Sequence, residues 1–391
     1  MMRNRHAKIL EISSYPPPHA GWGVRIQFVK RKLEHLGHYC HVLNIGKSRK
    51  FQSPEFVGVR NGWDYFRKVL RFCRQGYLVH MHMNGQSVKG VILTFLAELI
   101  SLLCGRRCVL TFHAGADQLF FPKNKNKYMN IIFQLIFFIP KCIICNDNIV
   151  KKKISEYKIK EEKIYTIPAF SKQYMDFKPI DLSKEFRCFF KNRKPILATY
   201  LMLRPSFDIK TLLYAIKELT RDCPRLGVVL MGSNTTPEDL DPEEVTHLVQ
   251  ELEIEPYLFW TGDLPHEQFL TILSNASIFV RTHIYDGVCS SVLEALALGK
   301  PVVASENPHR PPGILTFKTG QPTDLADKVR QALGQNATRS SQTKTPEVQD
   351  TVDDEARLLL DLALGKGAST LKTHLWGPST DVAIDLKKKI F

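Results

Sequence analysis

The residues with the clearest chemical potential lie in a segment that begins at Asp286 and reads DGVCSSVLEALALGKPVVA. The pattern predicts a strand end, a loop, a short helix that stops at Gly299, and a further strand. Backbone amides of Gly287, Val288, Cys289 and Ser290 at the start of that helix favour an anion such as a diphosphate. The carboxylates of Asp286 and Glu294 can each accept hydrogen bonds from sugar hydroxyl groups.

The same segment also has a purely structural interpretation. Ser291 and Glu294 have the spacing of a capping box, in which the two side chains bond the first turn of the helix and bind no ligand. Gly299 is a common helix stop. The spacing alone leaves both interpretations open.

Two further loops follow strands in the first half of the chain. Gly21 and Gly23 come after the strand predicted at residues 8–12, and His113 comes after the strand predicted at residues 107–112. Glycines let a backbone approach a ligand, and a neutral imidazole can donate to a hydroxyl group or stabilise developing charge. A plain turn and a structural histidine are the alternatives.

His80 and His82 alternate along the strand predicted at residues 78–82, so their side chains share one face. No carboxylate lies near them in the sequence. We therefore predict that they line the core or a cleft and do not bind a metal.

These loops require a parallel sheet that collects strand ends at one edge. Strands and helices alternate twice along the chain, which indicates an α/β protein with two Rossmann-like, doubly wound domains. We predict an N-terminal domain at residues 1–180 and a second domain at residues 181–333. Residues 334–391 are predicted as a flexible segment, a helix at residues 355–364 and a basic tail.

Length and composition limit the function classes. A chain of 391 residues favours two cores over one. Residues 1–194 carry a formal charge of +22 and the remainder −7, so the first half suits an anionic partner. No apolar run reaches the length of a membrane-spanning helix, and no nucleic-acid-binding motif is found, so a cytoplasmic protein that does not bind nucleic acid is expected.

Two motifs have a metal-like spacing. Cys142 and Cys145 form the one C-x-x-C pair in the sequence, within an apolar stretch that is typical of a packed strand. Asp239 and Asp241 form a D-x-D pattern among acidic residues and prolines, which is typical of a helix start. We predict no metal site.

Taken together, these motifs resemble the retaining glycosyltransferases of family 4, the E-x7-E type found among bacterial polysaccharide enzymes. The resemblance covers most of residues 8–333 and implies the GT-B fold, with two domains facing across a cleft. It implies that Asp286 contacts the donor sugar, that Glu294 binds the ribose, and that His113 reaches the donor sugar. The first acidic residue is Asp here, where the family has Glu.

The resemblance also implies roles for several donor-binding residues. Gly21 and Gly23 correspond to the family's glycine-rich loop, and Gly232 and Gly262 are expected near the base. The family clamps the diphosphate with an Arg and a Lys, but Met202 and Phe207 stand at those positions. Arg204 and Lys210 are the nearest cations, with Arg281 and Arg310 as further candidates.

By resemblance, the expected activity is transfer of a sugar from a UDP- or GDP-sugar to a glycan or lipid-linked glycan, with no metal or other cofactor. A polyprenyl-linked glycan is the lipid-linked acceptor expected. The alternatives are a sugar-nucleotide epimerase and a non-catalytic nucleotide-sugar-binding homologue. The apolar run 133–139 beside Lys151, Lys152 and Lys153 predicts peripheral contact with an anionic membrane at its inner face. A buried helix beside solvated lysines is the alternative.

Overall fold

The protein is described here from a computed structural model. The described residues are 6–17, 19, 21–113, 115, 118–123, 127–232, 241–286, 289–307, 309–311, 313–336 and 351–366. The chain forms two compact units: unit 1 comprises Met1–Ser171 and Asp350–Phe391, and unit 2 comprises Lys172–Gln349. The first division therefore falls nine residues before the boundary predicted at residue 180.

Unit 1 is built on a parallel sheet with the strand order β3-β2-β1-β4-β5-β6-β7 among its described residues. Its strands are β1 (Lys8–Ser13), β2 (Tyr39–Asn44), β3 (Val57–Gly58), β4 (Leu78–Met83), β5 (Val109–Phe112), β6 (Cys142–Cys145) and β7 (Ile164–Thr166). Its helices are α1 (Gly21–His35), α2 (Gly62–Arg74), α3 (Val88–Leu103), α4 (Lys127–Phe138) and α5 (Asn148–Ser155), with the C-terminal helix α12 (Thr351–Ala363).

The two faces of this sheet differ in chemistry. Leu10, Val79, Met81 and Leu110 belong to the main apolar core together with residues of α2, α3, α4 and α5. Glu11 is paired in register with His80 on the neighbouring strand, and both are fully buried. Because side chains alternate along a strand, these polar residues lie on the face opposite the apolar core.

The C-terminal helix α12 packs against α1 and β1. Arg25 of α1 is buried and donates to Glu355 Oε2 at 2.7 Å and to Thr351 Oγ1 at 2.7 Å. Thr351 Oγ1 in turn donates to the backbone oxygen of Phe170. A buried guanidinium group must have hydrogen-bond partners for its N–H groups, and α12 supplies them. These bonds therefore hold α12 against α1.

Unit 2 contains a second parallel sheet with the order β10-β9-β8-β11-β12-β13. Its strands are β8 (Ile196–Tyr200), β9 (Gly227–Met231), β10 (Leu258–Gly262), β11 (Ile278–Arg281), β12 (Val302–Ser305) and β13 (Leu315–Phe317). Its helices are α6 (Lys184–Asn192), α7 (Ile209–Asp222), α8 (Pro242–Glu251), α9 (His266–Asn275), α10 (Ser290–Ala297) and α11 (Pro322–Asn336).

In both sheets the strand order reverses once, between β1 and β4 in unit 1 and between β8 and β11 in unit 2. Loops leaving these paired strands diverge to opposite sides, which opens a crevice at the carboxyl ends of the strands. The prediction of two doubly wound parallel-sheet domains is thus confirmed. The loop that leads to Gly21 follows β1 and the loop with Asp286 follows β11, so each leaves a strand at a switch point.

Sharply bounded apolar runs predict a strand at residues 227–231 and a helix at residues 88–103, and both are confirmed as β9 and α3. The C-x-x-C pair forms the buried strand β6. The pattern of apolar residues at positions 24–36 predicts a helix that starts at residue 24, and this start is wrong, because α1 begins at Gly21. Asp239 lies outside the described residues, whereas Asp241 caps α8 by accepting from the Glu243 amide at 2.9 Å. Within the described ranges, the structure has no helix of the length and apolar character needed to span a bilayer.

Candidate active site

The candidate site in unit 2 is built from the loops that follow β8, β11 and β12. Hydrogen bonds join these loops to one another: the Ile284 amide donates to Ser206 O at 2.8 Å, and Ser305 Oγ donates to His283 O at 2.7 Å. Asn307 Nδ2 donates to the backbone oxygen of Asp286 at 2.6 Å. The site is therefore held by neighbouring strand ends and does not depend on one loop alone.

Asp286 is enclosed by two arginines, and we call these three residues the arginine–aspartate cluster. Arg281, the last residue of β11, donates from Nε and Nη2 to the two carboxylate oxygens at 2.8 and 2.9 Å. Arg310 Nη1 donates to Asp286 Oδ2 at 2.8 Å. Burial works to raise the pKa of Asp286, but the two guanidinium groups and His283 hold it well below its usual range.

The cluster leaves an excess of positive charge at the switch point, since two guanidinium groups face one carboxylate. Burial and the charge of Arg281 lower the pKa of His283 to about 4, so this imidazole is neutral at pH 7. The charge of Arg204 contributes to the same lowering, so this guanidinium also lies near His283. Arg204 is located in the loop after β8. This local field suits an anionic ligand.

Glu294 lies in α10 and is buried, and its Oε1 is 2.8 Å from His266 Nε2 of α9. Burial works to lower the pKa of His266, but the charge of Glu294 outweighs it and raises that pKa. The helix begins after Cys289, and the structure describes no side-chain cap there. The capping-box interpretation of Ser291 and Glu294 was therefore wrong, because Glu294 pairs with α9 instead.

The remaining predicted residues of unit 2 divide into two groups. Cys289 and Ser290 open α10 beside the cluster, while Gly287 and Val288 lie outside the described residues. Gly232 and Gly262 follow neighbouring strands, and the Gly232 amide donates to Gly262 O at 2.9 Å.

Gly232 has a φ of 135°, and an added Cβ would lie 1.8 Å from Leu201 O, so only glycine fits there. Lys210 does not join the site. Its Nζ pairs with Glu244 at 2.7 Å on the surface of α7 and α8, and both side chains are more than half exposed.

In unit 1, His113 follows β5 and ends a group of closely spaced polar side chains that we call the histidine chain: Glu11, His80, His82 and His113. Hydrogen bonds join Glu11 to His82 and His82 to His113. His113 Nε2 is 2.8 Å from His82 Nδ1, and His82 Nε2 is 2.7 Å from Glu11 Oε2. His80 Nδ1 is 2.9 Å from the same oxygen, and His80 Nε2 is 2.6 Å from Thr111 Oγ1.

Burial and the charges of neighbouring side chains shift the pKa values of the four members of the histidine chain. Burial works to raise the pKa of Glu11, but His80 and His82 outweigh it and hold that pKa at about 2. Burial works to lower the pKa of His80, but Glu11 raises it overall. Burial and the charge of His80 lower the pKa of His82, and burial and His82 lower that of His113. These directions favour a charged His80 beside Glu11 and neutral imidazoles at His82 and His113.

Glu11, His80 and His82 also have the donor types of a metal site, with ligand atoms within 4.8 Å of one another. Both histidine nitrogens, however, lie at hydrogen-bond distance from a single carboxylate oxygen. Ligands around a zinc ion, at bond lengths of about 2.1 Å, would stand farther apart, at roughly 3.4 Å. The geometry is therefore that of a proton-bonded cluster.

Gly21 and Gly23 form the first turn of α1, directly after the loop that leaves β1 at the switch point. An added Cβ on Gly23 would lie 3.2 Å from the Pro16 ring, so this turn packs closely on the loop. Trp22, between them, meets the His113 ring edge-on at a centroid distance of 5.0 Å. The glycine turn and His113 therefore share one edge of unit 1.

The sequence did not identify His266, Glu11 or the pairing of Arg310 with Asp286. Glu11 lies between Leu10 and Ile12 in the buried part of its strand, and a charged residue between apolar neighbours is a signal that could have suggested a buried partner. His266 gives no comparable signal, because it stands at a polar helix start.

Two parallel-sheet domains of Rossmann type define the class of protein, and solved structures of the GT-B fold share it. One is HepE from Anabaena in complex with UDP and glucose, with a TM-score of 0.65 and 16% identity, covering 92% of this chain and 98% of that one. Another is a UDP-N-acetylglucosamine 2-epimerase, with a TM-score of 0.63 and 13% identity, covering 94% and 99%. At these identities the likeness shows the fold alone.

The sequence comparisons are more specific. Residues 183–345 match the family model described as "Glycosyl transferases group 1". A curated relative, the alpha-monoglucosyldiacylglycerol synthase of Streptococcus pneumoniae, is 26% identical over 322 residues, which cover 76% of this chain and 70% of the relative. The matched segment contains the arginine–aspartate cluster and Glu294.

Proposed function

We propose that this protein is a retaining glycosyltransferase of the E-x7-E type that moves a hexose from a nucleotide-diphosphate donor to a lipid-linked or glycan acceptor. The observation that carries the proposal is the position of the segment from Asp286 to Glu294. It lies at the switch point of unit 2, inside the range that matches the group 1 glycosyltransferases.

In this proposal unit 2 binds the nucleotide. The amides that open α10 and the excess positive charge near Arg204 favour the diphosphate, and Glu294 accepts from the ribose hydroxyl groups. Arg281 and Arg310 act indirectly, because both are bonded to Asp286. A cation that stabilises the leaving diphosphate is needed chemically, and Arg204 is the first candidate.

Unit 1 is proposed to bind the acceptor and to bring His113 to the sugar. The reaction needs no protein nucleophile if the departing phosphate takes the acceptor's proton, so positioning and electrostatic stabilisation carry the rate. UDP-glucose is the first donor to test, since HepE was solved with UDP and glucose and the curated relative is named as a glucolipid synthase.

Product analysis tests the proposal against an epimerase, which the fold also accommodates. The protein is incubated with UDP-glucose, UDP-N-acetylglucosamine or GDP-mannose, with and without vesicles that contain diacylglycerol, the acceptor that the name of the curated relative implies. A glycosylated lipid and free nucleoside diphosphate support the transferase. A changed sugar on an intact nucleotide supports the epimerase, and binding without either product supports a non-catalytic homologue.

An exposed apolar face on unit 1 supports a membrane-bound acceptor. The face is formed by Tyr128, Ile131 and Phe138 of α4, which share one side of the helix and are 85%, 65% and 60% exposed. Leu103, at the end of α3, is 78% exposed. Phe133, Ile136 and Phe137 are buried on the opposite side of α4. The predicted apolar run therefore divides between the core and the surface.

Basic residues border this face. Arg107 and Lys163 lie over the ring of Phe138 at 5.9 and 5.6 Å. Lys151, Lys152 and Lys153 belong to α5, the next helix along the chain. Apolar side chains bordered by cations are the composition that binds an anionic bilayer surface.

Co-sedimentation with phosphatidylglycerol vesicles tests the docking face. Ile131→Asp should weaken binding about tenfold or more, since it removes a side chain whose burial contributes roughly 1.5–3 kcal/mol. Leu36→Asp is the matched control, because Leu36 is an exposed apolar residue just beyond α1. Equal losses in both variants, or no vesicle binding by the unmodified protein at low salt, would reject this face.

A further inference from the structure

We propose that Glu11 and His82 are positioning residues that hold His113 as its Nε2–H tautomer, so that Nδ1 of His113 accepts a hydrogen bond from a substrate hydroxyl group. The inference deepens the proposed function, because it assigns the direction of the hydrogen bond at a residue that the function places beside the sugar. It depends on the order of donors and acceptors along the histidine chain.

The order begins at Glu11, which is completely buried in the middle of β1. An ionised carboxylate can only accept hydrogen bonds, so the nitrogen that faces it must carry a proton. His82 Nε2 lies 2.7 Å from Glu11 Oε2 and is therefore the donor. His80 Nδ1 lies 2.9 Å from the same oxygen. Burial works to lower the pKa of His80, but the charge of Glu11 raises it above that of His82, so the proton that balances Glu11 favours His80.

The order continues through His82 to His113. A neutral imidazole has one N–H and one lone pair, so a His82 that donates from Nε2 must accept at Nδ1. The group that faces Nδ1 is His113 Nε2, at 2.8 Å, and the two rings are within 12° of coplanar. His113 Nε2 therefore carries the proton, and the lone pair of His113 lies on Nδ1.

The ring of His113 is held in place from several sides. Its backbone amide donates to Met83 O at 2.8 Å, and Trp22 packs edge-on against it. Among the residues that the structure describes, none bonds Nδ1, and the side chain is partly exposed. A fixed acceptor at this position would orient an incoming O–H group, whereas the other tautomer would present a donor there.

The tautomer can be measured without any substrate. In full-length protein labelled with nitrogen-15 histidine, the ring nitrogen shifts and their coupled protons distinguish an N–H nitrogen from a lone-pair nitrogen. His113→Asn assigns the signal among the 13 histidines. We expect a protonated Nε2 and an unprotonated Nδ1 at pH 8. An Nδ1–H tautomer, or equal populations of the two, would overturn the proposal.

Three variants separate positioning from general stability. His82→Leu removes the acceptor and should leave His113 in mixed tautomers. In His82→Asn the side-chain oxygen can take the place of Nδ1 while the amide nitrogen faces Glu11, so the tautomer should persist. Thr111→Val is the matched control, because Thr111 bonds His80 in the same buried cluster and does not bond His113. The proposal fails if all three variants behave alike.

Activity provides the second readout. In a carboxylate–histidine pair, loss of the correct tautomer costs up to about 10⁴-fold in kcat, and over this longer chain we expect at least ~10-fold in His82→Leu, with partial recovery in His82→Asn. The Kd for UDP should stay unchanged, because the nucleotide is assigned to unit 2. A single Nε2–H tautomer of His113 in a protein without transferase activity would refute the proposed function and leave this inference standing. An active transferase in which His113 has mixed tautomers would refute this inference and leave the proposed function standing.

Discussion

Replacing Asp286 by Asn should destabilise unit 2 and not merely remove a sugar contact. The carboxylate accepts three hydrogen bonds from two guanidinium groups, at 2.8, 2.9 and 2.8 Å. Only 10% of the Asp286 side chain is exposed, against 7% and 4% for Arg281 and Arg310. Because Asn leaves two buried cations without a counterion, the expected loss is about 3–5 kcal/mol in the free energy of unfolding.

Urea unfolding measures this loss. Trp260 is the single tryptophan of unit 2 in the sequence, so its fluorescence reports this unit in a background where Trp22, Trp63 and Trp376 are Phe. The matched control is Asp327→Asn, which breaks a contact of 2.8 Å to Arg330 on the surface. That exposed pair should contribute less than about 1 kcal/mol.

The pH dependence gives a second check with a definite sign. The pKa of Asp286 is lowered from its ordinary value of 3.8, so its stabilisation is present above pH 3.8 and is lost as the pH falls further. The difference in free energy of unfolding between the unmodified protein and Asp286→Asn should therefore stay constant from pH 5 to pH 8. It should shrink only in stronger acid, where Asp286 becomes protonated. A difference below about 1 kcal/mol at pH 7 would refute the structural role of the cluster.

Three further outcomes are expected. Burial raises the pKa of Glu98 in α3 well above 4.5, so the folded protein holds a proton that the unfolded chain releases, and stability should fall as the pH rises above 4.5. Relative to the unmodified protein, Glu98→Gln should therefore gain free energy of unfolding between pH 5 and pH 8, by up to about 1.4 kcal/mol per pH unit, as urea unfolding at each pH measures. Glu355→Gln should increase hydrogen exchange in α12, which its bond to Arg25 holds, and equal protection in both proteins would contradict that role. Glu294→Gln keeps an acceptor for His266, so Tm should change little while UDP binding weakens about 10-fold or more; lost stability with unchanged affinity would contradict the ribose role.

The sequence predicted elements well where local chemistry bounds them. Apolar runs interrupted by Gly or Pro gave β9 and α3 with the bounds that the structure has. The helix α2 was not predicted from the sequence. Its apolar residues are interspersed with Arg67, Lys68 and Arg71, so the segment contains no continuous apolar run. Strand alternation also placed His80 and His82 on one face, as observed.

By itself, the sequence determined the two βαβ blocks, the loops at the strand ends and the candidate residues Asp286, Glu294 and His113, because each depends on residues that are close along the chain. Only the tertiary structure decided their partners. Glu11 meets His82 across 71 positions, and Arg25 meets Glu355 across 330. These contacts depend on strand order and on where α12 packs, and no local pattern of apolar and polar residues encodes either of them.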